Sequence, residues 1–558
     1  MGMDGIDTQQ PKVNPSYSSW TKGTSLSEGG SSEGNPLKLT SQRPLTDFAT
    51  FQNVPMPNLP LPKGNILEEK DFPEKEIVSD FQIFQGPYEG WGVIGSDGKL
   101  YRKRTIDDKA KLEQIGKVEQ DGNFKLFNNQ KGNIFNNDGI FPYLEFSVEG
   151  GELGKKLREK MVDLGRLNTK KDQERIQNEV RKFKDSKGRP IDGSGITTVI
   201  MEGTAQNQAE LENKIKQEKG HAGNVGMVVK SKEMGIARGS ELAAFLPTGE
   251  RTLLPEALDE AEKIKDPVER QNAFNKIHQQ IESLEKEPAK LAQYLAQNAV
   301  KGIHPFTSGI EKLIADKQTN AGLRIVNISD GPDMDHLLVE LDTLWERKNQ
   351  YPQLAKEMMK FKQPGDSDKL AMLRYLKKCM SDNPEYNQAL GQWQDVTQKA
   401  AQAGLFITVA AGNHRTGTQE EEIFAGSSLN DLAKSKHVIT VTASHSNGTP
   451  EDYTDDTVWE RAARGNGTWN PTLAASGQFV QSPHLMSKVG CSTSDATPRV
   501  SATLALMLQL NPNLTFEEGV DILNKACTQR PGRYTQRDYG AGILDPVKAV
   551  QLTRERLR

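Results

Sequence analysis

Cysteine is scarce, with three in 558 residues: Cys379, Cys491 and Cys527. An odd, low number supplies no disulfide framework and favours a reducing compartment. Long hydrophobic runs are missing too. Nothing approaches the roughly 20 apolar residues of a membrane span, so no membrane association is expected. The first residues hold no apolar stretch of a Sec-type signal peptide. Ile6 stands where a myristoylation signal needs Ser or Thr. The chain is therefore expected in the cytoplasm, or exported without a Sec-type signal as an effector. One-sided charge is also absent. The 71 basic and 75 acidic residues leave a net charge of -4, and no basic stripe for nucleic acid. No His-Glu-x-x-His, Cys-x-x-Cys or EF-hand spacing occurs, and no phosphate or dinucleotide loop. Neither a metal site nor a cofactor is expected.

A chain of 558 residues is too long for one core. Residues 1–75 are rich in Ser, Gly, Pro, Gln and Asn and read as a disordered polar leader. Residues 76–150 carry Asp97-Gly98 and Asp121-Gly122, each between short alternating runs. These hairpin signals predict a small antiparallel β module. Residues 151–190 read as a charged helical linker, closed by Gly188-Arg-Pro-Ile-Asp-Gly-Ser-Gly.

From 191 to 558, apolar runs of strand length alternate with helical stretches. The runs are Ile196–Met201, Gly226–Val229, Glu241–Leu246, Leu323–Ile328, Leu405–Ala411 and His437–Ala443. This pattern predicts an α/β fold with a mostly parallel sheet covered on both faces. Stretches near 253–300 and 333–400 are long for crossovers and read as helical insertions.

Three segments carry chemistry. Ser494 lies in Gly490-Cys-Ser-Thr-Ser-Asp-Ala-Thr-Pro-Arg-Val-Ser-Ala, followed by an apolar helix. Pro498 suits a first helical turn, which places Ser494 at a helix N-terminus, where N–H groups and the dipole favour negative charge. Taken alone, Ser494 reads as a capping serine. His221 begins His-Ala-Gly-Asn-Val-Gly-Met-Val-Val, and Asn413 ends Leu-Phe-Ile-Thr-Val-Ala-Ala-Gly-Asn.

These segments resemble, in order, the histidine, oxyanion-asparagine and serine motifs of the subtilisin-like serine proteases (subtilases, peptidase family S8). Around Ser494, residues Thr493, Ala496, Pro498 and Val500 match in register, whereas Arg499 replaces the family's His and Asp495 its Met. Asn224 stands at a second, non-triad histidine. Ile325-Val-Asn-Ile-Ser-Asp-Gly resembles the strand that pairs with substrate, which implies substrate-binding roles for Ser329, Asp330 and Gly331. Asp330 replaces a leucine there and puts a charge near the cleft. Further phrases, such as Tyr539-Gly-Ala-Gly-Ile-Leu-Asp, extend the resemblance over about two thirds of the chain. It implies a three-layer subtilisin-like sandwich and a peptide or protein substrate.

The triad acid departs from the family. Counting forward from Gly195 sets Glu202 at the aspartate's place. Counting back from Gly203 sets Met201 there. A one-residue shift swaps the face of a strand side chain. Glu202 would orient His221, as Glu does in other Ser-His-acid enzymes. Met201 would leave His221 without its acid, at a cost of about 10⁴-fold in turnover. Asp192, ahead of the strand, is a distant third. The resemblance thus implies a serine endopeptidase built on Ser494, His221, Glu202 and Asn413. The alternative is a pseudoprotease that binds peptides or proteins in the same cleft.

Overall fold

The computed structural model describes residues 66–557 with breaks, the longest at 69–75, 143–149, 414–428, 446–452 and 481–488. The leader lies outside the described residues as far as residue 65.

The first sheet is an antiparallel meander. Its strands are β1 (Ile66–Glu68), β2 (Ile77–Ile83), β3 (Gly90–Gly95), β4 (Lys99–Ile106), β5 (Lys109–Val118), β6 (Asn123–Leu126), β7 (Lys131–Asn133) and β8 (Phe141–Pro142). They run in the order β7-β6-β5-β4-β3-β2-β8, with β1 pairing β5. Residues 66–68, assigned above to the leader, therefore belong to this sheet. Asp-Gly turns join β3 to β4 and β5 to β6. Asp97 Oδ1 accepts the Lys99 N–H and Asp121 Oδ1 accepts the Asn123 N–H, each at 3.0 Å. Gly98 takes φ +75°, which a side chain would resist.

Helix α1 (Gly151–Val180) follows. Leu153 and Leu157 pack into the small sheet's core, whereas Ile176 and Val180 sit in the core of the large domain. The segment expected as a linker is thus an integral element. Its few apolar residues recur at helical spacing and seat both ends.

The second sheet has nine strands among the described residues: β9 (Thr197–Met201), β10 (Glu241–Phe245), β11 (Leu323–Ile328), β12 (Phe406–Ala410), β13 (Ile439–His445), β14 (Thr457–Val458), β15 (Leu473–Ser476), β18 (Cys527–Thr528) and β19 (Ile543–Leu544). Its order is β10-β9-β11-β12-β13-β15-β19-β18, with β14 beside β13. All pairings from β10 through β19 are parallel, whereas β14 and β18 run antiparallel to their neighbours. A separate hairpin joins β16 (Gln478–Val480) and β17 (Val489–Cys491).

Helices cover both faces. Those between β9 and β10 are α2 (Gln208–Gln217) and α3 (Gly220–Lys230). The run Gly226–Val229, expected as a strand, is the end of α3. A four-residue apolar run does not distinguish a strand from a buried helix. The insertions form α4 (Leu254–Lys263), α5 (Pro267–Lys286) and α6 (Lys290–Lys317), then α7 (Met334–Glu346), α8 (Pro352–Met358), α9 (Asp368–Asp382) and α10 (Pro384–Gln402). These pack on one face, against Val199, Met201, Val326, Ile328, Ile407 and Val409. The other face holds Ile200, Ile325, Phe406, Ile439 and Val441, together with α3, α11 (Thr493–Leu510), α12 (Phe516–Ala526) and α14 (Pro546–Arg556). A one-turn α13 (Gln536–Tyr539) precedes β19. This is a subtilisin-like α/β sandwich.

Candidate active site

Strand β9 comes first in the domain, β10 lies on one side of it and β11 on the other. This reversal falls at the carboxyl ends of β9 and β11, the place where doubly wound sheets bind ligands. Register then levels the rim. Asn327 pairs Ile200 and Ile328 pairs Val409, so Glu202, Ser329 and Ala411 emerge close together.

The pleat of β9 sets Met201 and Glu202 on opposite faces. Side chains alternate faces with period two. Val199 and Met201 face the insertion helices, and fully buried Met201 packs on Gly309 of α6. Ile200 faces α3 and α11. The Glu202 N–H still pairs with the Phe245 carbonyl at 3.3 Å, so the alternation carries one residue past the strand. Glu202 therefore shares the face of α3, and its Oε2 lies 2.6 Å from His221 Nδ1. Both side chains are nearly sealed, at 1% and 3% exposed. Asp192 sits at the opposite, amino end of β9, where its carboxylate binds the Ser194 N–H and hydroxyl.

Helix α3 packs on α11, which carries Ser494. Helix α11 begins at Thr493, with Ser492 as N-cap receiving the Asp495 N–H. Pro498 lies in the second turn, not the first as the sequence suggested. Its consequence is specific. An interior proline leaves the carbonyl four residues back without a helical donor, and here that carbonyl belongs to Ser494. The Ser329 hydroxyl donates to it at 2.9 Å, and the Ser494 hydroxyl donates to the Ser329 carbonyl at 2.8 Å. The pair is continuous with buried polar groups. Asn327 Nδ2 donates to Ser329 Oγ at 2.8 Å, and Ser501 Oγ donates to Asn327 Oδ1 at 2.9 Å.

Asn413 completes the cluster. Its Oδ1 accepts the Thr493 N–H at 3.0 Å and the Thr493 hydroxyl at 2.8 Å. Nδ2 is thereby the free donor end of the amide. In the first turn of α11, the N–H groups of Thr493, Asp495 and Ala496 have acceptors. Among the described residues that of Ser494 has none. Two donors without an acceptor, Asn413 Nδ2 and the Ser494 N–H, thus lie beside the first turn of α11.

The structure brings together Glu202 with His221, and Ser494 with Ser329 and, through Thr493, Asn413. Asp330 and Gly331 follow on the rim. Gly331 has φ +149°, and a Cβ there would meet the Asn430 amide at 2.8 Å. Sequence reasoning missed Thr493, Asn327 and Ser501 as the groups that hold this cluster. Their only signal was polarity inside buried strand and helix positions. Burial pushes the thiols of Cys379 and Cys527 up to about 11 and about 12, which removes them as nucleophiles at neutral pH. The Cys491 side chain lies outside the described residues. Among the described residues, no group of three His, Cys, Asp or Glu is placed to hold a metal, and no helix is long and apolar enough to cross a membrane.

Parts of the chain are similar to known proteins. Serine protease AprX of Bacillus subtilis (strain 168) is 30% identical over 172 residues, which span 27% of this chain and 37% of that protein. Among solved structures, a lanthipeptide protease aligns at 12% identity and TM-score 0.37, over 65% of this chain and 89% of that one. The subtilase cytotoxin SubAB assembly aligns at 14% identity and TM-score 0.33, over 69% of this chain and 94% of that one. Superpositions at these scores carry no weight beside the sheet order itself. Residues 288–542 match the subtilase family, peptidase S8, a stretch that contains Ser329, Asn413 and Ser494 and begins after Glu202 and His221. The fold and the ordered motifs agree with this match, and over residues 288–542 the chain is similar to the subtilase family of serine proteases.

Proposed function

We propose that the protein is a serine endopeptidase in which Ser494 is the nucleophile, His221 the general base, Glu202 the orienting acid and Asn413 an oxyanion donor. The observation that carries this reading is the sealed 2.6 Å contact between Glu202 and His221 Nδ1, on a helix packed against that of Ser494. A carboxylate on Nδ1 holds the proton there and leaves Nε2 as the basic nitrogen.

In the reaction, His221 Nε2 takes the Ser494 proton as Oγ attacks a peptide carbonyl. The Ser494 N–H and Asn413 Nδ2 stabilise the oxyanion. His221 then protonates the leaving amine, and water releases the acyl group by the reverse path. The substrate lies extended beside Ser329–Gly331 as an added strand. Before attack, Ser494 Oγ must leave the Ser329 carbonyl. Such loose resting geometry is common before substrate arrives.

That same hydrogen bond motivates the second reading, a cleft that binds peptides without cutting them. Labelling with a fluorophosphonate separates the two. Wild type is expected to label, Ser494→Ala not at all, and Glu202→Gln about 10⁴-fold more slowly. A folded wild-type protein that takes up no probe would leave only the binding reading. Glu202→Gln labelling at the wild-type rate would remove Glu202 from the triad.

A further inference from the structure

We infer that Asp330 selects substrates with an arginine or lysine side chain among the few residues on the amino side of the scissile bond. The inference rests on the endopeptidase reading and adds a substrate class to it.

Three observations converge on this carboxylate. First, its place: β11 alternates faces, so Ser329 bonds α11 while Asp330 turns to the side of Val326 and Ile328, toward the insertion helices. It therefore lies on the rim without touching the groups assigned to catalysis. Secondly, among the described residues its carboxylate has few partners. One carboxylate oxygen accepts the Gly331 N–H at 2.7 Å. The other looks toward Gly203, where an added Cβ would lie 4.0 Å away. Asn430 donates only to the Asp330 backbone carbonyl, at 3.4 Å. Thirdly, its charge is unanswered: among the described residues no Lys, Arg or His forms an ion pair with it. A half-buried carboxylate on the rim, flanked by two glycines and an amide, is placed for a cation brought by the ligand. An incoming guanidinium or ammonium gains a charge-assisted hydrogen bond there, whereas an acidic side chain meets repulsion.

The test is kinetic. Internally quenched peptides carry Arg, Lys, Leu or Glu at the first, second or third residue before the scissile bond, and kcat/KM is expressed per Ser494 titrated with a fluorophosphonate. At one position, Arg or Lys is expected to exceed Leu by about tenfold or more, with Glu poorest. This preference should shrink between about 0.05 and 1 M salt. Asp330→Asn keeps an acceptor for the Gly331 N–H and should bring Arg and Leu to within about twofold of each other. An unchanged Arg-to-Leu ratio in Asp330→Asn, with titratable enzyme, overturns the inference alone. Protein without titratable Ser494 overturns it together with the endopeptidase reading.

Discussion

The side-chain carbonyl of Asn413 receives two hydrogen bonds from Thr493, and this settles which end of the amide is the donor. Both bonds come from the helix that carries Ser494, which ties Asn413 to the first turn of α11. Replacing Asn413 with alanine is expected to lower turnover about 10²- to 10³-fold and to change KM little, because the Nδ2 bond forms only with the oxyanion, whereas the two Thr493 bonds are lost with and without substrate alike. Steady-state kinetics on any cleaved peptide measures this. A change confined to KM would instead assign Asn413 to ground-state binding. The choice between Glu202 and Met201 belongs to the same scale. The sequence leaves it open because the segment between Gly195 and Gly203 is one residue short of agreeing with both ends. The neighbours set the two apart: Met201 has a glycine of α6 to pack on, and Glu202 has an imidazole.

Among the elements, α1 and α11 are joined by charge. Asp172 of α1 reaches Arg499 of α11 at 3.2 Å, Arg175 at 3.3 Å and the Tyr453 hydroxyl at 2.9 Å. Burial pushes the Tyr453 phenol far above its ordinary range, so it stays protonated and donates. The Asp172 and Arg499 side chains are 5% and 6% exposed. Removing one partner leaves the other charged and buried, which typically costs roughly 3–5 kcal/mol. Asp172→Ala should therefore lower the stability read by chemical denaturation by about that amount, whereas Asp172→Ala with Arg499→Leu should recover much of it. No recovery in the double variant would mean that the pair acts through something besides its charges. Arg499 had appeared in the sequence only as a departure from the family's histidine. Its reason lies more than 300 residues away in the chain, in a helix that reads as a polar linker. The strands of the large sheet were legible because their apolar runs are continuous. The end of α3 was misread for the same reason, since burial on all sides erases periodicity.

At the scale of the whole molecule, α1 divides its loyalties. Leu153 and Leu157 serve the small sheet, and Ile176 and Val180 serve the large domain. The turn beyond α1 is fastened as well. Gln509 of α11 accepts the N–H groups of Asp192 and Gly193 at 2.8 and 2.7 Å. The independently folding unit is thus expected to begin with α1 and not at the glycine-rich break. A chain starting at residue 151 should unfold cooperatively in a thermal scan. A chain starting at residue 191 should lack a sharp transition, having lost Asp172, the partner of Arg499, and the core residues Ile176 and Val180. Equal behaviour of the two chains would show that α1 is dispensable. That boundary was the least legible feature of the sequence, because a long helix with few apolar residues looks the same whether it is solvated or seated.

The reciprocal bonds between Ser329 and Ser494 have one more consequence. The Ser329 hydroxyl grips the main chain of Ser494, through a carbonyl that Pro498 keeps vacant. Alanine in place of Ser494 removes the reactive oxygen but not this anchor. The disarmed protein should keep an intact groove and hold its natural ligands uncut, which makes it bait for fishing them out of a cell extract.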